Sequence, residues 1–174
     1  GEPIRIVNLL SGQSLTAWMQ ERLWSRLGME FDGDVMLDPL GTEVAFAGMS
    51  ASLRDLGRIG QMLLQRGRVG DRQIIPASVA DELARGGDPR AFEYSGMPHR
   101  KGGSYRAQWW ISPGPPRSYA AMGAYGQRLF VVPDAEMVVV FLSSHPQPIA
   151  ALIDPSHQRA LAALAAFVGA APAR

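Results

Sequence analysis

The stretch Ser118–Ser144, SYAAMGAYGQRLFVVPDAEMVVVFLSS, constrains the fold of this chain more than any other. It holds two apolar runs, Leu129–Val132 and Met137–Leu142, separated by Pro133-Asp134. Pro and Asp are turn residues, so the pair reads as the corner between two strands. Neither run shows the polar alternation of a half-solvated strand, which places both inside a sheet covered on its two faces. The segment is entered through Gly123-Ala124-Tyr125-Gly126-Gln127, where glycines let another group approach the backbone closely. Exposed amides at the edge of a buried strand are a means by which hydrolases hold an oxyanion. The hairpin is therefore a candidate active-site wall.

Helices precede it. Ile4, Ile6, Val7, Leu9 and Leu10 suggest the last turns of a buried helix, ended by Ser11-Gly12. Ser14 has the chemistry of an N-cap, and Leu15, Trp18, Met19, Leu23 and Leu27 follow near helical spacing up to a Gly28 stop. Phe31 to Ala47 is broken by Asp38-Pro39 and Gly41 and reads as loop or short extended structure. Ser52-Leu53-Arg54-Asp55 has the capping-box pattern with Asp in place of Glu, opening an amphipathic helix to about Gln65. Gly67 and Gly70 form a turn before Ile74-Ile75-Pro76, and a short helix follows near Ser78–Arg85. Gly86 to Gly103 is Gly/Pro-rich and reads as an irregular surface loop or a substrate-side loop. Tyr105–Ser112 is strand-like, and an Ala/Leu-rich helix runs over about Gln158–Val168. Helices first, then three sequential strands, then a closing C-terminal helix favour an α+β fold with a three-stranded antiparallel meander.

Composition removes several classes. A formal charge of +1 without a basic run argues against tracking a phosphate backbone, so no nucleic-acid partner is expected. Cysteine is absent, which excludes disulfides, thiolate catalysis and cysteine-ligated metals. No apolar run has membrane length, and no membrane partner is expected. No His-x-x-x-His or clustered His/Asp pattern suggests a metal. Glu21 with Glu30, or Asp32 with Asp34, reads as solvated surface charge. His99, His145 and His157 are the only histidines, and a pairing such as Ser144 or Ser104 with one of them would give the chain a catalytic set of its own. No Gly-x-Ser-x-Gly elbow accompanies it, and exposed loop histidines are the ordinary reading.

Four blocks in order carry a resemblance. Gly12-Gln13-Ser14-Leu15 leads to Leu23-Trp24-Ser25-Arg26-Leu27-Gly28-Met29. Ala47-Gly48-Met49-Ser50-Ala51-Ser52-Leu53-Arg54-Asp55-Leu56-Gly57-Arg58 follows, then Gly67–Pro76, and last Tyr105-Arg106-Ala107-Gln108-Trp109-Trp110 with Gly123–Gln127. Over about Ser11 to His145 the chain resembles the C-terminal portion of the serine β-lactamase-like superfamily. The nearest branch is that of class C β-lactamases, esterases and 6-aminohexanoate-dimer hydrolases. The resemblance implies a β-lactamase/penicillin-binding-protein-like fold. It also implies an acyl-enzyme mechanism, in which the Ser of a Ser-x-x-Lys attacks an amide or ester carbonyl and a Tyr-x-Asn helps move its proton. No cofactor is implied.

A third family motif, Lys-Thr-Gly or a variant, lies on the strand beside the site. Counting back from Tyr125-Gly126-Gln127 puts it on Ser118-Tyr119-Ala120, with no cationic side chain. The resemblance then makes the Ala121 N–H the backbone oxyanion donor and Tyr119, Gly123, Tyr125 and Trp110 the substrate-binding wall. Trp109 and Trp110 point to opposite faces of a strand, so at most one of them meets a ligand. The remaining motifs are absent: the residue three before Lys101, the sole lysine, is Pro98, and no Tyr-x-Asn occurs. Residues 1–174 are therefore expected to be the C-terminal part of one β-lactamase-like domain. An N-terminal segment or separate chain would bring the nucleophile and complete the sheet along Met137–Leu142. The expected partner is a small-molecule amide, ester or cyclic amide; a non-catalytic binding or structural module is the alternative.

Overall fold

The computed structural model describes residues 2–45, 47–93, 101–148 and 154–170, and the chain divides into two compact units, Gly1–Ile59 and Gly60–Arg174.

In the first unit, α1 (Glu2–Ser11) ends at a left-handed Gly12. Helix is found where the sequence placed it, but Leu9 and Leu10 are 79% and 84% exposed, so these two are not buried as expected. α2 (Leu15–Met19) opens on Ser14, whose hydroxyl accepts from the Ala17 N–H at 3.1 Å. A π-helical turn, Gln20–Trp24, joins α2 to α3 (Ser25–Leu27), and Gly28 closes the helix at φ 67. The wider turn shifts the helical register, and Trp24 and Leu27 end up buried while Trp18 stays 37% exposed. Glu43 reaches back to the start of α2, accepting from the Leu15 and Thr16 amides and the Thr16 hydroxyl. Two short strands, β1 (Asp34–Val35) and β2 (Met49–Ser50), pair antiparallel.

α4 (Leu53–Leu64) begins at the capping box. The Ser52 hydroxyl accepts from the Asp55 N–H at 3.1 Å and donates to the Asp55 carboxylate at 2.7 Å. The Asp55 carboxylate does more than cap its own helix, since it also accepts from the Glu30 and Phe31 amides, with Arg58 at 3.1 Å.

The second unit is built on a five-stranded antiparallel sheet in sequence order: β5 (Ser104–Arg106), β6 (Trp109–Ser112), β7 (Ser118–Met122), β8 (Arg128–Val132) and β9 (Met137–Phe141). The α+β meander expected from the sequence is present with two more strands than anticipated. Tyr105–Ser112 splits into a hairpin because Ala107 and Gln108 both take positive φ, 47° and 68°, the geometry of a two-residue turn. Ser118–Met122 forms its own strand ahead of the glycine segment.

Register separates the two faces. Tyr119, Ala121, Leu129, Val131, Val138 and Val140 share one face, while Ala120, Met122, Phe130, Val132, Val139 and Phe141 share the other. On the first face lies the C-terminal end of α4, where a Cβ added at Gly60 would stand 2.8 Å from Leu129 Cδ1. On the second lies α7 (Asp154–Ala170), with Leu161 fully buried against Ala120, Phe130 and Val132. Every residue of β8 is buried: Leu129–Val132 as their unbroken apolar run requires, and Arg128 with them. Shorter pieces complete the unit: β3 (Arg68–Val69) with β4 (Arg72–Gln73), α5 (Ala77–Arg85) and α6 (Pro89–Glu93). α6 puts helix into a stretch the sequence presented as irregular, and the rest of that stretch up to residue 100 lies outside the described residues.

Candidate functional site

The site is read from the end of β7 and the turn that follows it. Gly123 is the last extended residue, at φ −102 and ψ 165, and its N–H donates to the Gln127 carbonyl at 3.0 Å. In an antiparallel ladder the residues directed at one neighbour recur every second position. Two residues earlier the register pairs Ala121 with Leu129, so the Ala121 N–H is also turned toward β8 and used in the ladder. This corrects the expectation that Ala121 is the oxyanion donor.

The trans peptide between Gly123 and Ala124 has the opposite consequence for the next amide. Its carbonyl lies on the β8 side and accepts from Arg128 Nη1 at 2.9 Å, so its N–H, carried by Ala124, points away from β8. Ala124 is exposed and stands first in the 3₁₀ turn Ala124–Gly126, so its N–H has no acceptor within that turn.

Tyr125 follows in the left-handed region at φ 57, ψ 24, which is unusual for a residue with a large side chain. Three hydrogen bonds hold it. Its N–H donates to the Pro148 carbonyl at 3.1 Å, and its carbonyl accepts from the His145 N–H at 3.2 Å and the Ser143 hydroxyl at 3.0 Å. Gln127 binds the same returning segment, its side chain accepting from the Ser143 N–H at 3.1 Å and donating to the Ser143 carbonyl. A Cβ at Gly126 would run into the His145 ring and the Ser143 hydroxyl, so only glycine lets this segment lie so close. The Tyr125 side chain is 48% exposed beside the outward Ala124 amide.

Of the other expected wall residues, Gly123 stays with Tyr125 in the turn, and Tyr119 does not. Gly123 is exposed at the head of the turn. Tyr119 is 2% exposed, edge-on to Trp109 at 5.5 Å, and burial pushes its hydroxyl up to about 12. It is a core residue of the second unit, because its position on β7 points it into the covered face. Trp110 lies on the opposite face from Trp109, as strand alternation demands, edge-on to Tyr105 at 4.8 Å and Phe92 at 5.9 Å. It contributes to an aromatic group on the β5–β6 hairpin.

Ser104 is buried on β5 at one edge of the sheet, whereas His145 follows β9 at the other, so these two do not pair. His157 stacks on Phe141 at 4.9 Å with the His145 ring 6.4 Å away. His99 lies outside the described residues. No group of three or more His, Asp or Glu suited to a metal occurs among the described residues, and no helix among them is long and apolar enough to cross a membrane.

Arg128 was not singled out by sequence reasoning. The signal was available: an arginine opens a strand whose other residues are all apolar, and it is 6% exposed.

Known proteins resemble this chain over most of its length. The family profile described as Beta-lactamase matches residues 5–164. A 6-aminohexanoate-dimer hydrolase of Paenarthrobacter ureafaciens is 29% identical over 144 residues, covering 82% of this chain and 37% of that protein. A solved structure, a putative 6-aminohexanoate-dimer hydrolase from Bacillus anthracis, superposes with a TM-score of 0.86 at 30% identity, covering 98% of this chain and 42% of the other. The chain thus spans less than half the length of these relatives.

Proposed function

The chain belongs to the Beta-lactamase family, and on that premise we propose that it is the C-terminal portion of a serine hydrolase that cleaves an amide, ester or cyclic amide through an acyl-enzyme. The chain supplies the oxyanion side of the site and part of its wall. A serine from an N-terminal segment or separate chain attacks the carbonyl carbon, and its oxygen takes the negative charge as the tetrahedral intermediate forms. The Ala124 N–H, in place of Ala121, donates to that oxygen. Collapse passes the serine's proton, carried by the proton-moving residues of that same segment or chain, to the departing amine or alcohol and leaves the acyl-serine; water then attacks the same carbonyl, with the same donor in use, and releases the acid and the free serine. Gly123 and Tyr125 flank the donor and form the wall nearest the reacting carbonyl. The same N-terminal segment pairs with β9, which completes the sheet.

The observation that carries this reading is the Gly123–Ala124 peptide unit, with its carbonyl tied into the sheet and its N–H directed outward from an exposed turn. A pre-set amide of this kind stabilises charge developing in the transition state, and one such donor is worth about 100-fold in rate or more. Labelling the full-length natural protein with a fluorophosphonate probe tests the reading. Covalent labelling of one serine outside residues 1–174 is expected. A folded full-length protein that binds small amides yet never labels would establish the non-catalytic binding module instead.

A further inference from the structure

We infer that Arg128 is a positioning residue for the oxyanion amide. This rests on the reading of Ala124 as the donor. Arg128 is 6% exposed at the head of β8, directly across from Met122 on β7. Its Nη1 donates to two carbonyls, that of Gly123 at 2.9 Å and that of Gln127 at 2.7 Å. These two carbonyls bracket the turn, one entering it and one leaving it. The guanidinium therefore clamps both ends of Ala124-Tyr125-Gly126 from behind.

The Gly123 carbonyl and the Ala124 N–H belong to one planar unit. Fixing the carbonyl fixes the direction of the N–H on its far side, with no contact between Arg128 and the substrate. A cation donating to the carbonyl oxygen also draws electron density along the peptide and makes its N–H a stronger donor, an effect that grows in a buried setting. Hydrogen bonds from a charged donor are roughly twice as strong as neutral ones, so the hold on the carbonyl is firm. The rest of the turn needs this hold. Tyr125 sits in a left-handed conformation that a tyrosine does not adopt unaided, and the Ser143–Pro148 segment restrains it only from the other side. Both bonds leave one nitrogen, and the planar guanidinium holds that nitrogen in a fixed orientation that a freely rotating ammonium does not share.

Arg128 is thus expected to act on the transition state and hardly at all on substrate capture. Steady-state kinetics on the full-length protein, with Arg128→Met and Arg128→Lys beside the wild type, test this. Arg128→Met should lower kcat about tenfold or more with KM within about twofold, since the misdirected amide matters only once the oxygen carries charge. Arg128→Lys, which keeps the charge and loses the fork, should recover part of that loss. Fluorophosphonate labelling of the same proteins separates the two ideas under test. A wild type that does not label removes the hydrolase reading and this inference with it. A wild type that labels while Arg128→Met turns over at the wild-type rate overturns the Arg128 assignment alone. If Arg128→Met does not fold, Arg128→Lys decides: reduced kcat at unchanged KM upholds the assignment, and wild-type kcat overturns it.

Discussion

Burial raises the Tyr119 hydroxyl to about 12, and the sign of its effect on stability follows directly. The unfolded chain ionises this tyrosine near pH 10, while the fold keeps it protonated until about 12. Its contribution is complete below the unfolded value and is lost as pH rises through the folded one. Tyrosinate absorbance followed against pH should show a late-ionising step, coincident with alkaline unfolding, that disappears in Tyr119→Phe. Residue-level roles were only partly legible beforehand. The turn at Gly123–Gln127 was legible from its glycines, because φ requirements leave a mark on composition. Ala121 was misassigned because the direction of an amide depends on ladder phase, which one residue of register reverses. Arg128 left one sign in the sequence, an arginine opening an apolar run, but which carbonyls its head reaches depends on the turn that precedes it.

At the scale of the element, α4 is held at both ends by different means. Its N-terminal end is organised by Asp55, which has no exposure to solvent. Burial pushes that carboxyl upward, but the Glu30 amide, the Ser52 hydroxyl, the Phe31 amide and the Arg58 guanidinium outweigh it and hold it below the ordinary 3.8. The stabilisation is therefore in force above the unfolded value and is lost as pH falls through the lower folded one. Acid unfolding should begin at higher pH in Asp55→Asn than in the wild type, as circular dichroism against pH will register.

At the other end, Gly60 meets the sheet. Alanine there gains about 1 kcal/mol of helix propensity. Its Cβ would also fall 2.8 Å from Leu129 Cδ1 and nearer still to Val138 Cγ1, a branched group with little freedom to turn aside. Overpacking of this kind costs about 1–3 kcal/mol, so Gly60→Ala is expected to be destabilising on balance, with a lower urea midpoint at unchanged m-value. Helix starts at Ser14 and Ser52 were legible because capping is local chemistry. The β5–β6 hairpin was not, since Ala107 and Gln108 reach positive φ without glycine, asparagine or aspartate to announce it.

For the whole molecule, the order helices, sheet, closing helix was readable because each class of element carries its own period, and an all-buried strand such as β8 declares covered faces on both sides. Strand number was harder, because a two-residue turn leaves little trace in composition. Among the described residues β9 pairs with β8 alone, leaving its other edge available. An apolar edge of five residues invites pairing with another chain. Residues 1–174 produced alone should associate on sizing with light scattering, whereas the full-length protein, its sheet completed as proposed, should not.

The Gln127 side chain does for Ser143 what a neighbouring strand would do, meeting both its N–H and its carbonyl with a single carboxamide. One amide has thereby become a rung of the sheet beyond the last residue of β9. Its two side-chain protons stand in different surroundings, only one of them directed at a carbonyl. In nuclear magnetic resonance they should give widely separated signals that exchange slowly with solvent and collapse when the turn opens. The molecule thus carries its own spectroscopic reporter of whether the Tyr125 turn is closed.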